Sequence, residues 1–255
     1  MLNPLPYIEK ELLEKRSFGL LNYYYAARHI AFTPPIPIED IIENHLKIGI
    51  EFDDMHTRLD VPRSGVEPDI LGAIIFNDRR ILIDESLDPD VFPRREGRYR
   101  FTLAHELAHL YLHQPFFNMN TDTNTLLFNS APVASSSRSC PLLDRAEWQA
   151  NFSSSCLLMP RSLVYAEWSK MFPDCRPRVI KPVAPIAHSY VEIEPKWFVC
   201  DEYEWPETVD EAFDSIAVPL SKIFLVSVEA MRIRLESIGL LLRQIPAVKS
   251  SHNYS

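Results

Sequence analysis

Leu and Tyr recur at helical spacing over residues 6–31 and predict an amphipathic helix, which Pro34-Pro35-Ile36-Pro37 stops. Pro37 suits the first turn of a second helix running to about His45, with Ile38, Ile41, Ile42 and Leu46 on one face. Residues 47–52 alternate polar and apolar, as a strand does, and residues 54–68 are polar and read as a loop. Two β-rich runs, residues 71–76 and 80–84, flank Asn77-Asp78 and predict a hairpin. Asp88-Pro89-Asp90 opens a helical region, and from about residue 94 to 113 the pattern is helical and very apolar near its end. Residues 115–141 are rich in Asn, Thr, Ser and Pro and read as a flexible insertion. A further helix is expected from about residue 142 to 159, ended by Pro160. Residues 171–219 form a proline-rich insertion with one candidate strand at 188–193. Residues 219–243 read as two short helices, a helix-turn-helix-like end, and a frayed tail follows from residue 246. The expected organisation is one α+β domain over residues 1–245 without internal repeats.

The chemistry concentrates in the apolar helix, at His105-Glu106-Leu107-Ala108-His109. Two histidines four residues apart lie one turn apart on the same face, which suits two ligands of one zinc ion. Zinc lowers the pKa of a bound water toward ~7, and Glu106 stands where a carboxylate could take its proton as it attacks a peptide carbonyl. Phe101, Leu103, Ala104, Leu107, Ala108, Leu110 and Leu112 make the helix a buried one, where polar side chains need partners. His113 continues the stripe, but it lies about 12 Å along the helix from His105, so one ion cannot hold both. The metzincin pattern would require Gly at 112 and His at 115, where this chain has Leu112 and Pro115. A structural role is therefore expected for His113. The third ligand must come from elsewhere, and Glu147 is the candidate, with Asn151 one turn on to hold a ligand histidine by its other ring nitrogen. Ala150 and Ser154 are small enough to bring the two helices close. On helical geometry alone Glu147 reads equally well as a solvated surface glutamate.

Several segments together resemble the ImmA/IrrE-type metallopeptidases: Pro34-Pro35-Ile36-Pro37 leading to Ile48-Gly49-Ile50, Arg100–Leu110 around the two histidines, Glu147-x-x-Ala150-Asn151, Leu157-Leu158-Met159-Pro160, and Phe224-Leu225-Val226-Ser227 with Ala230, Arg234-Leu235 and Gly239-Leu240. The resemblance covers roughly residues 34–113, 144–160 and 220–242. It implies a gluzincin-like, zincin-type fold with a small sheet on the motif helix. It implies Zn2+ held by His105, His109 and Glu147, with Glu106 as catalytic base. It also implies regulatory cleavage of a specific protein, such as a helix-turn-helix transcriptional repressor. Ser153-Ser154 departs from the aromatic-alanine pair usual in that family, and the 115–141 and 171–219 segments are longer than usual. The alternative is a weakly catalytic or non-catalytic DNA- or protein-binding regulator on the same fold.

Composition narrows the partners. A formal net charge of −9 opposes a general phosphate-binding surface, so nucleic acid is not the expected partner. Lys222, Arg232, Arg234 and Arg243 make only the C-terminal end locally basic. The cysteines, Cys140, Cys156, Cys175 and Cys200, form no C-x-x-C pair, so a structural zinc knuckle is not expected, and reduced thiols are. No apolar run approaches the roughly 20 residues that cross a bilayer, and residues 1–18 carry Glu9, Lys10, Glu11, Glu14, Lys15 and Arg16 where a signal peptide would be apolar. A cytoplasmic location without membrane association is the expectation by default. By residue type alone, His188, Tyr190 and Tyr165 are candidates to stabilise an oxyanion.

Overall fold

A computed structural model describes residues 5–63, 65, 70–76, 78–117, 126–130, 141–182, 191–194 and 209–243. They form mixed helix and strand, an α+β arrangement. The chain clusters into two compact units, Met1–Tyr165 with Lys222–Ser227, and Ala166–Ser221 with Val228–Ser255.

The first unit opens with α1, Lys10–Arg28, four residues later in onset than its sequence pattern suggests. A short helix α2, Ile38–Asp40, continues as a wider π turn through His45, and Ile38, Ile41 and Ile42 are fully buried there. Strand β1 is Gly49–Asp53. The polar stretch after it, expected to be a loop, holds a short helix α3, Met55–Leu59. Asp54 caps it, its carboxylate accepting from the backbone of His56 and Thr57, which is the usual way a polar run starts a helix.

The expected hairpin is present. Strands β2, Ile70–Ile75, and β3, Arg80–Asp84, pair antiparallel, with Ala73 opposite Leu82 and Ile75 opposite Arg80. β1 joins β3 in parallel. Strand β4, Leu126–Ser130, pairs antiparallel with β2, giving the order β1-β3-β2-β4. It falls inside the stretch read as an insertion, whose residues 118–125 and 131–140 lie outside the described residues.

Every residue of β2 is buried because both faces of the sheet are covered. Ala73, Ile75 and Leu82 pack with Met55 of α3. Against the sheet lies α4, Glu96–Phe117, which packs on β2 and β3. Its Leu103, Leu107 and Leu110 are buried, each contributing about 1.5–3 kcal/mol of transfer free energy. The buried guanidinium of Arg100 donates to the Ile36 carbonyl at 2.6 Å and so ties this helix to the proline-rich segment before α2. Helix α5, Pro141–Leu158, packs against both α4 and α1. Ala146, Ala150 and Ser154 of α5 are completely buried, and the Ser154 hydroxyl is spent on the Ala150 carbonyl at 2.6 Å, so this face carries little bulk. Helix α6, Arg161–Met171, follows directly after Pro160.

In the second unit, β5, Arg178–Pro182, lies between antiparallel β6, Val191–Glu194, and parallel β7, Leu241–Arg243. Helix α7 runs from Val209 to Phe224, starting ten residues before the onset expected for the C-terminal helices. Its Phe213, Ile216, Ala217 and Leu220 are fully buried at helical spacing, and Pro219 stands inside it. Helix α8, Val228–Ser237, follows. Arg232 lies 2.8 Å from Asp214 and 3.2 Å from Asp210, and Arg243 lies 2.8 Å from Glu236. Arg234 is buried. Among the described residues no helix is long and apolar enough to cross a membrane.

Candidate metal centre

α4 presents three histidines in succession, His105, His109 and His113, all with no exposed surface. The i, i+4 spacing stacks them along one face, and apolar residues at the intervening positions pull that face into the interior. His105 Nε2 and His109 Nε2 stand 2.8 Å apart. From α5, Glu147 brings one carboxylate oxygen to 3.1 Å from His105 Nε2 and the other to 3.3 Å from His109 Nε2. These three residues form a group that could hold a metal ion. Glu147, equally readable as a surface residue from its sequence position, therefore faces the two histidines. Its side chain keeps 30 % exposure, so the group opens to solvent on that side.

Asn151, one turn beyond Glu147, sets its Oδ1 3.0 Å from His105 Nδ1. An amide oxygen only accepts, so the His105 proton sits on Nδ1 and Nε2 offers a lone pair. His113 does not reach the group. Its Nδ1 is 3.0 Å from His109 Nδ1, and its Nε2 is 3.0 Å from Gln149 Oε1, in keeping with the structural role expected for it. Burial, with His109 close by, pushes the His113 pKa down to about 4, so the ring is neutral. Burial also lowers the pKa of His109. Burial by itself would raise the Glu147 carboxyl, but the His105 and His109 imidazoles beside it outweigh that effect and hold its pKa down to about 2. The Glu147 carboxylate is thus ionised and burial disfavours a charge on His109, as binding of a cation requires.

Glu106 is the polar outlier of the interior. It has no exposed surface, and neither carboxylate oxygen has a hydrogen-bond partner among the described residues. Burial, and secondarily the charge of Glu147, raise its pKa well above the ordinary carboxylate value. A buried carboxyl without partners is costly, and it is rarely retained without a task. Gly72 of β2 makes the room it occupies. A Cβ there would stand 2.6 Å from Thr102 Cγ2 and 3.0 Å from Glu106 Oε1. Neither Gly72 nor Gln149 is marked by the sequence pattern. Gly72 could have been suspected as the one glycine inside an otherwise large apolar run, whereas nothing local distinguishes Gln149.

Of the oxyanion candidates, His188 and Tyr190 lie outside the described residues. Tyr165 lines a separate cavity with Glu14, Phe18, Cys156 and Arg161. Neither Cys156 nor Cys175 forms a disulfide among the described residues, and Cys140 and Cys200 lie outside them. No protein-family model matches the chain, and no curated protein matches it.

Proposed function

We propose that this protein is a zinc-dependent peptidase of zincin-like fold. The observation that carries the reading is the convergence of His105, His109 and Glu147 beside a buried carboxyl, Glu106, that has no hydrogen-bond partner among the described residues. Two imidazole nitrogens and one carboxylate, open to solvent on one side, match the donor set of a hydrolytic zinc site better than a closed structural one. Carboxylate-only sets suit calcium or magnesium, and thiolate sets suit structural zinc.

His105 and His109 would hold the ion through Nε2 and Glu147 through its carboxylate. Zinc in such a site supplies Lewis acidity, which makes water acidic near neutral pH and polarises a carbonyl. Glu106 then acts as general base, taking the proton of the attacking water at one carboxylate oxygen and returning it to the departing amine nitrogen. Its burial keeps that proton from bulk solvent, and the same burial raises its affinity for protons. Asn151 orients His105 from behind.

Resemblance to the ImmA/IrrE-type metallopeptidases supports a cytoplasmic regulatory protease acting on one protein, such as a helix-turn-helix repressor. The DNA-binding alternative has less support, because Arg232 and Arg243 are balanced by Asp210, Asp214 and Glu236, and Arg234 is buried. Zinc-loaded protein should cleave its target while Glu106→Gln keeps the zinc and does not. Equal cleavage by the two proteins would remove the peptidase reading.

A further inference from the structure

We propose that His113 and Gln149 are positioning residues that fix the proton of His109 on Nδ1 and so keep its Nε2 lone pair aimed at the metal. The inference rests on the reading that His105, His109 and Glu147 hold a divalent cation. It assigns to His113 a task that a packing role does not include.

The direction of each hydrogen bond follows from the outer end. The Gln149 side-chain nitrogen is 2.8 Å from the Pro6 carbonyl oxygen. A carbonyl oxygen cannot donate, so the amide cannot be turned the other way without setting two oxygens face to face. Gln149 Oε1 is thereby directed at His113 Nε2, 3.0 Å away, and must accept from it. A neutral His113 with its proton on Nε2 has a bare Nδ1. His109 Nδ1, 3.0 Å from that bare nitrogen, is then the donor. With its proton there, His109 turns a lone pair at Nε2 toward His105 Nε2, 2.8 Å away, and Glu147. Asn151 gives His105 the same tautomer from the other side.

The result is three electron-pair donors facing one another with no proton of their own to share. Such a cluster is stable only around a cation or an added proton. The relay ends on the backbone carbonyl of Pro6, and His105, His109, His113 and Gln149 along it are all fully buried.

The test uses full-length protein with 15N-labelled histidine, metal-free and zinc-loaded, and reads the two ring nitrogens of His109 by NMR together with the zinc dissociation constant. In the wild type His109 Nδ1 should be protonated in both states. His113→Leu removes the acceptor, so metal-free His109 should move its proton toward Nε2 and zinc should bind about 10–100-fold more weakly. His113→Asn places an amide oxygen near the position of Nδ1 and should restore both readouts to near wild-type values, which a pure packing role would not produce. Gln149→Met leaves all three histidines in place and should shift both readouts in the same direction but less. That variant decides the matter if His113→Leu does not fold. A bare His109 Nδ1 in the wild type, or unchanged proton position and zinc affinity in His113→Leu and Gln149→Met, overturns the relay while leaving the metal site intact. A wild type that takes up no zinc overturns the metal reading instead, and the metal-free spectrum still judges the proton placement.

Discussion

The two halves of one histidine stripe meet different partners. His105 and His109 share the spacing, the helix and the burial of His109 and His113, and their closest ring nitrogens are separated by 2.8 and 3.0 Å respectively. The first pair faces the carboxylate of Glu147. The second faces the amide of Gln149, which is itself held by a backbone carbonyl. A carboxylate brings lone pairs and negative charge and no proton, so the first pair can gather round a cation. An amide fixed by its own donor dictates where the neighbouring proton lies, so the second pair passes orientation along. Histidine spacing alone therefore does not assign a ligand. The side chain opposite does.

Removing that carboxylate is the largest perturbation. Glu147→Ala should abolish stoichiometric zinc, measured by elemental analysis of dialysed protein, because two imidazoles without the anion form an incomplete site. Full retention of zinc would take Glu147 out of the ligand set. Glu106→Gln should leave zinc content and thermal stability near wild type while lowering the cleavage rate by roughly 10²–10⁴-fold. A variant that lost its metal as well would make Glu106 part of the binding group.

Asn151→Leu tests whether the ring behind His105 is set as His109 is. Zinc affinity should fall by about 10–100-fold, as expected when the outer partner of a ligand histidine is lost. An unchanged titration would mean that packing alone orients His105. The smallest effect is expected at Gly72→Ala, where the added methyl must displace Thr102 Cγ2, 2.6 Å from the ideal Cβ position. Overpacking of this kind costs about 1–3 kcal/mol, and Thr102→Ser in the same protein should recover part of the lost melting temperature. No recovery would mean that Glu106 or the backbone, not Thr102, takes the strain.

Much of the first unit was legible in the chain. The hairpin β2–β3 follows from two apolar runs around Asn77-Asp78, and α4 and α5 follow from their periodicity. What was missed is non-local or locally masked. β4 is five residues among polar neighbours and is a strand because β2 offers it an edge. α3 depends on the Asp54 cap, which looks like any other acidic residue in a polar stretch. The early turns of α7 were hidden by Pro219 and the prolines before it, although Phe213, Ile216, Ala217 and Leu220 carry the helical spacing.

The site shows the same division. His105, Glu106 and His109 are visible as a local motif, and Glu147 gained weight only from resemblance to a family. Gln149 and Pro6 could not be read at all, because their roles exist only once α5, α4 and the N-terminal segment are assembled. Pro6 takes part through a backbone oxygen, which no sequence pattern marks.

The central claim is that His105, His109 and Glu147 hold one zinc ion. Anomalous diffraction at the zinc edge from zinc-loaded crystals tests it most directly. The account predicts a single strong peak within about 2.0–2.2 Å of His105 Nε2, His109 Nε2 and a Glu147 carboxylate oxygen, with His113 outside bonding distance. A peak bound through His113, or no peak at this group in protein that carries stoichiometric zinc, would contradict it.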